Sequence, residues 1–455
     1  MDLKNSNRYF NDALHDRVAQ EYAIPEQFFT EKVKRGLRNS DGTGVMAGVT
    51  RVGRVIGYGI EDGEIIPLPG RLYYRGISAA DIIRSHADEQ SFGYEEVAFL
   101  LLMGYLPDRE ELAQFNAVLR QARMLPDNFT EDIILKSPSP NVMNKLARSV
   151  LTLYSYDENP DDTSLDNMLR QSIELIARFP VIVATAYAAK RHYFDGESLY
   201  IHFPREDLSA AENFLLMLKP DKSFTPEEAH LLDILMMLHA EHGGGNNSAF
   251  VCRALSSSGT DTYSAIAGAV SSLKGPLHGG ANAKVQAMVQ EICRMVPDPG
   301  DEGAMRDCLD RILSGKAGDG SGKIYGLGHA VYTLSDPRAE LLKIYAREMA
   351  EKKGLLDEFA YLQSIERCGK ELIMERKHLE TPICANIDLY SGFVIRMLGI
   401  PDELFTPLFA ISRISGWCAH RIEEVVSARR IMRPAYRSAV RSRDYVPMAQ
   451  RGCGD

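Results

Sequence analysis

The sequence is poor in several features, and each shortage excludes a class of protein. Its seven cysteines, at 252, 293, 308, 368, 384, 418 and 453, are scattered and show no C-x-x-C spacing. That pattern fits reduced thiols and a cytoplasmic enzyme better than a disulfide framework. Positive charge is in deficit, 52 Lys and Arg against 62 Asp and Glu, for a net charge of −10, which argues against a nucleic-acid surface. The longest apolar run, 179–189, is too short to cross a bilayer and contains Pro180. The first residues (MDLKNSNRYFNDALHDR) are polar and charged, so neither a membrane span nor an export signal is expected. No internal repeat and no low-complexity segment occurs.

The rest has the composition of an ordinary globular protein, 45% apolar and 25% charged. At 455 residues, a large domain plus a smaller one is the default expectation. Residues 1–44 read as a polar arm of the kind that packs on a partner subunit. Between Thr50 and Tyr74 the runs RVIGYGI and EIIPLP flank Asp62-Gly63, a hairpin turn signal and the one convincing β region. Beyond it the periodicity is helical almost throughout, so the fold class is mostly α with a short N-terminal β-hairpin. A break is expected at Pro180 inside the long pattern starting near residue 165. Pro226-Glu227-Glu228 opens a helix that runs to His239. Helices are expected at about 336–352 and 355–377, with a last helical block from Phe405 to Arg430. The Gly-rich stretches 297–304 and 316–323 are candidate joints.

Several short stretches carry residues suited to chemistry. In GPLHGGAN, glycines and a proline frame His278 just ahead of a helix. There the positive end of the macrodipole favours a neutral ring able to donate to an oxyanion, unless the residue is simply a histidine in a tight turn. In HAEHGGGNN, the pair His239 and His242 closes a helix. Its H-x-x-H spacing suggests a metal, but with no third ligand nearby, capping or an anion contact is the better reading. GLGHAVY sets His329 in a glycine loop nine residues before Arg338, which opens a helix and is either a bidentate carboxylate ligand or a solvated surface group. In ANIDLYSG, Asp388 is a helix N-cap or a carboxylate made more basic by an apolar setting. Arg413, inside the apolar run LFAISRISGWCAH, is costly unless it meets an anion. The basic run 429–437 (RRIMRPAYR) is a solvated face or a binding element.

In order and spacing these stretches, with YRG after the hairpin, SRISGWCAHRIEE, the Arg-Pro element and a closing Tyr-Val-Pro, together resemble the citrate synthase family over nearly the whole chain. The resemblance implies that His278, His329 and Asp388 are the catalytic three. It implies that His242, Arg338, Arg413 and Arg433 bind the oxaloacetate carboxylates, Arg433 across the interface of a homodimer. Acetyl-CoA is then the co-substrate, with no bound cofactor and no metal. Its adenine lies against the loop 323–328, with Lys323, Tyr325 and Gly326 as cofactor-binding candidates. The implied architecture is a large helical domain (1–280), a small helical domain (281–395) that closes over the substrates, and a return to the large domain with a C-terminal arm (396–455). The implied reaction belongs to the tricarboxylic acid cycle; 2-methylcitrate synthase, acting on propionyl-CoA, is the close alternative, and a non-catalytic scaffold is a more distant one. Two positions depart from the family pattern: Ala385 replaces a proline, and Pro140-Asn141-Val142-Met143 replaces a His-Pro-Met segment. They bear on turnover and acyl-chain preference.

Overall fold

The structure, a computed structural model, describes residues 18–451 except 31, 32, 40, 63 and 429. Cys453, Arg429, the turn residue Gly63 and the start of the arm therefore lie outside the described residues. The chain divides into two compact units.

One unit joins Met1–Ala47 to Arg433–Asp455 and contains Arg433. Its described part holds little regular structure: a helical stretch over 18–22, short 3₁₀ turns at Glu26–Phe28, Arg35–Leu37 and Met448–Gln450, and an isolated bridge pairing Arg38 with Gly44.

The other unit, Gly48–Met432, is helical apart from one antiparallel sheet. Strands β1 (Gly53–Glu61) and β2 (Glu64–Tyr74) form the expected hairpin, with Glu61 opposite Glu64 and Asp62 in the left-handed conformation that such a two-residue turn demands. A third strand, β3 (Ile77–Ser78), extends the sheet.

Fifteen α-helices follow among the described residues. The first six are α1 (Ala79–Glu89), α2 (Tyr94–Met103), α3 (Arg109–Ala122), α4 (Val142–Leu153), α5 (Leu165–Asp195) and α6 (Ala210–Leu218). Next come α7 (Pro226–His239), α8 (Asn247–Ser256), α9 (Thr262–Leu273), α10 (Ala281–Met295) and α11 (Glu302–Leu313). The last are α12 (Pro337–Lys353), α13 (Leu356–Lys377), α14 (Asp388–Met397) and α15 (Phe405–Glu423). Local chemistry starts many of them. Asp108, Ser209 and Thr225 each close a capping box with the glutamate three residues on, and Pro226 and Pro337 occupy first helical positions.

Pro180 does not break α5. The proline lacks the N–H that would bond back to Ile176, yet the chain continues helically to Asp195 because residues on both sides of it, from Leu175 to Ala189, are packed in the core. By length and composition α5 could cross a membrane, but most of its apolar window is buried against other helices. The last helical block likewise differs from expectation: the α-helix ends at Glu423 and a π-helical turn, Glu424–Ala428, follows.

Helix α15 is the axis of the core, packing on α2, α5, α7, α8 and α9 with Trp417 fully buried at its centre. Helices α10 to α14 pack chiefly on one another, while α12 and α14 also reach α7, and α10 reaches α15. The β-hairpin braces the loop after His329. A Cβ on Gly57 would lie 2.3 Å from the Val331 carbonyl oxygen, and one on Gly70 would lie 2.1 Å from that of Ser335. Only glycine allows so close an approach. Thr333 Oγ1 donates to the Gly57 carbonyl at 3.0 Å, and the Gly70 N–H donates to Ser335 Oγ at 3.1 Å.

Candidate active site

Three helix starts and the axial helix meet around one cavity of about 160 Å³. His242, His278, His329, Arg338, Asp388 and Arg413 all line it, although they are drawn from positions 242 to 413. Arg433 belongs to the other unit. Lys323, Tyr325 and Gly326 are not among the lining residues.

His278 stands in the turn just before α10, as its sequence setting suggests. Its Nε2 lies 3.0 Å from Ser248 Oγ and 3.3 Å from the Ser248 backbone N–H; the backbone group can only donate, which places the ring proton on Nδ1. Its pKa is lowered to about 4, by burial first and then by the positive charge of Arg413. The ring is therefore neutral at pH 7, and the causes that carry this are burial and Arg413, where the sequence pointed to the helix dipole.

His329 lies in a loop zipped to the strand-like segment before Asp388. Leu327 pairs with Ala385, the Gly328 N–H donates to the Cys384 carbonyl at 2.8 Å, and the Asn386 N–H donates to the Gly326 carbonyl at 2.9 Å. Those bonds straddle Ala385 and hold the loop where the family pattern has proline. His329 Nδ1 accepts the backbone N–H groups of Val331 and Tyr332, each at 3.1 Å. That pattern assigns the ring proton to Nε2, which faces His242 Nε2 at 3.2 Å. Tyr332 stacks on His329 with ring centroids 4.6 Å apart.

His242 sits beyond the end of α7, which stops at His239. Its pKa falls well below the usual histidine value, through burial and then the nearby charges of Arg338, His329 and Arg413. Its Nδ1 is buried and meets no hydrogen-bond partner among the described residues. The two histidines of the H-x-x-H pair do not converge: His239 Nδ1 bonds the Leu235 carbonyl at 3.0 Å, while His242 turns to His329. Among the described residues no group of three His, Cys, Asp or Glu could hold a metal.

Asp388 is the first residue of α14 and makes no capping hydrogen bond, so the N-cap reading does not hold. Asn386 aims it, accepting the Asp388 N–H at 3.0 Å and donating to the Gly328 carbonyl at 2.9 Å. Burial raises the Asp388 pKa to about 6, with Arg338 opposing and Asp336 adding to the rise. This is a carboxylate near neutrality with stronger basicity than one in water.

The two buried arginines of the cavity differ. Arg338 is no surface group, and its fork is already filled. Nε and Nη2 hold Asp336 at 3.0 and 2.7 Å, so the bidentate carboxylate partner is its own neighbour two residues back. Arg413 is fully buried; its Nε donates to the His239 carbonyl at 2.5 Å, and its guanidinium lies 4.6 Å from the centroid of the Phe409 ring. Both its Nη atoms are buried with no hydrogen-bond partner among the described residues. Burial lowers its pKa to about 10, partly offset by Glu241. A cation in that state calls for an anionic ligand.

The remaining predicted residues lie nearby but differently engaged. Gly326, at positive φ, packs on Leu389. Tyr325 Oη donates to Asp319 at 2.6 Å and receives Lys284 Nζ at 3.1 Å. Lys323 is exposed. Sequence reasoning missed Asp336, Asn386, Phe409 and Asn282. Asp336, two residues before Arg338 and just ahead of Pro337, is the one whose spacing could have revealed it.

A buried base near neutral pH, two imidazoles with assigned donor nitrogens and an unpaired guanidinium define an acid–base site for a carboxylate substrate. The profile described as citrate synthase, C-terminal domain, matches residues 41–435. The citrate synthase of Deinococcus radiodurans is 37% identical over 81% of this chain and 91% of its own length. The 2-methylcitrate synthase 1 of Corynebacterium glutamicum is 31% identical over 85% of this chain and 94% of its own. Among solved structures, the ternary complex of Thermoplasma acidophilum citrate synthase with carboxymethyl coenzyme A and oxaloacetate superposes with a TM-score of 0.74 at 27% identity, covering 93% of this chain and 100% of that one. The chain belongs to the citrate synthase family, enzymes of the acyltransferase type.

Proposed function

We propose that the protein condenses acetyl-CoA with oxaloacetate and water, giving citrate and CoA. The observation that carries this reading is the Arg413 guanidinium, unpaired and buried in the same cavity as Asp388 and the two neutral imidazoles. Asp388 removes a methyl proton from acetyl-CoA. Each unit of pKa mismatch in that step costs about 1.4 kcal/mol, so the enolate oxygen needs a donor, and His278 Nδ1–H supplies it. The enol carbon then attacks the oxaloacetate ketone, whose oxygen takes the His329 Nε2 proton. Arg413 and His242 hold the carboxylates, joined by the Nη1 of Arg338, whose Nε and Nη2 stay on Asp336, and this displaces the His242–His329 contact. Hydrolysis of the resulting thioester releases CoA. A thiol-release assay tests this: CoA is expected only when oxaloacetate and an acyl-CoA are both present, and no release with any acyl-CoA sinks it.

Propionyl-CoA is the second reading, supported by the 31% identity to a 2-methylcitrate synthase. One methylene changes discrimination by only about 1–3 kcal/mol, so the ratio of kcat/KM for the two thioesters decides.

The assembly belongs to the same proposal. Arg433 completes the oxaloacetate pocket of the other chain in a two-fold homodimer. Inactive Asp388→Asn and Arg433→Ala chains, refolded together, should recover about a quarter of wild-type activity, because half the dimers are mixed and each has one intact site. Mixed dimers with no recovery beyond the separate variants would refute sharing. Residues 281–395 close over the substrates as a small domain. The compartment is the cytoplasm, a reading supported by the six described cysteines, all free, and the pathway is the tricarboxylic acid cycle.

A further inference from the structure

Between α10 and α14, a turn away from Asp388, lies a buried polar niche that the condensation does not use. Asn282, in the first turn of α10, lines the cavity and is 8% exposed; Gln286, one turn further on, is 2% exposed. Asn282 Nδ2 donates to Ser391 Oγ at 2.6 Å. Asn282 Oδ1 and both polar atoms of the Gln286 amide meet no hydrogen-bond partner among the described residues. The two amides crowd Gly392: a Cβ there would lie 2.2 Å from Gln286 Nε2 and 2.4 Å from Asn282 Oδ1. The two atoms are therefore no more than about 4.6 Å apart, a gap that one water at ordinary hydrogen-bond distance from each can span, and a buried site with several polar partners is where a water is stably held. Ser391 and Gly392 stand three and four residues after Asp388, on the same face of α14.

The other neutral amides and hydroxyls of the cavity are engaged. Asn386 bonds the Gly328 carbonyl and the Asp388 N–H, Ser412 donates to the Leu408 carbonyl, and Asn246 Oδ1 accepts from Ser248. Asn282 Oδ1 is the neutral acceptor left beside Asp388 and His278.

We propose that Asn282 and Gln286 seat the water that hydrolyses the citryl thioester, with Gly392 letting both amides close on α14 and Ser391 fixing the Asn282 amide. This rests on the condensation reading above. The water oxygen bonds to the thioester carbon and the carbon–sulfur bond breaks with its electron pair on sulfur. Sulfur takes one water proton, and the other is released as the new carboxyl group ionises. Gln286 is a positioning residue, acting through the water and Asn282.

The test separates the two halves of the reaction in full-length protein. In Gln286→Met, and independently in Gly392→Ala, hydrolysis of supplied citryl-CoA should fall about tenfold or more. Exchange of acetyl-CoA methyl protons with D2O, measured with a 2-hydroxy dicarboxylate that cannot be attacked, should stay within about twofold of wild type. A merely structural role would lower both together, and that outcome, in a variant of wild-type helicity, overturns the proposal, as does unchanged hydrolysis. Wild type unable to hydrolyse citryl-CoA would instead overturn the condensation reading, and this proposal with it.

Discussion

Two buried arginines, one on α15 and one packed against its C-terminal end, resolve their charge in opposite ways. At the C-terminal end, Arg253 is saturated: Nη1 holds Glu424 at 2.9 Å, Nη2 meets Glu423 and Thr50 Oγ1, and Nε donates to His420 Nδ1 at 3.0 Å. His420 passes the connection on, its Nε2 bonding Glu241 at 2.9 Å beside the turn that carries His242. At the middle of the helix, Arg413 makes a single hydrogen bond among the described residues and has two orphaned nitrogens. A buried cation with all its partners belongs to the scaffold, and one with partners missing is kept for a ligand. The same logic separates Arg338, neutralised by Asp336, from Arg413.

The largest expected effect lies on the ligand side of that contrast. Asp388→Asn keeps the shape of the site and removes the base, so kcat should fall about 10²–10⁴-fold while oxaloacetate binding, followed by calorimetry, changes little. Near-full turnover would mean that another group takes the proton.

The contrast itself is broken or kept by a pair of substitutions. Arg253→Leu strands Glu423 and Glu424 and should cost roughly 3–5 kcal/mol of stability. Arg413→Leu removes a cation that the free protein offsets only in part, through Glu241, so it should cost clearly less stability than Arg253→Leu while KM for oxaloacetate climbs at least about tenfold. Equal destabilisation by both would erase the distinction.

A smaller effect concerns Asp388 in the free protein. Its pKa rises from 3.8 unfolded to about 6 folded, chiefly through burial, so the folded chain binds the proton more tightly and stability is lost as pH climbs between those values. Asp388→Asn escapes that loss. It should be more stable than wild type by roughly 1–3 kcal/mol at pH 7.5, with the gain gone below about pH 4. A variant less stable at both pH values would show that the carboxylate is held by bonds, not merely desolvated.

The mildest expectation sharpens the acid limb of activity. Asp388 must be ionised and His278 neutral, so kcat/KM should rise with pH around an apparent pKa of about 6. His278, lowered to about 4, contributes no limb of its own there. NMR titration of its ring should stay below the ordinary histidine value; a raised one would contradict the donor role.

The sequence by itself determined the helical class, the hairpin, most helix starts and the set of residues worth watching. Each of these is written in local terms: caps three residues from their partners, prolines at first turns, glycines at required turns, and an arginine placed among apolar neighbours. It also carried His278 to the mouth of α10. Only the tertiary structure decided which partners those residues find. Core packing on both flanks carries α5 through Pro180, and the close approach of Gly57 and Gly70 sets the His329 loop against a distant hairpin. His278 owes its neutrality to burial and to Arg413, 135 positions along the chain, and Arg413 owes its orphaned nitrogens to helices that enclose it without supplying a hydrogen-bonding partner for them. Desolvation and charge pairing depend on what surrounds a group in space, which local periodicity does not encode.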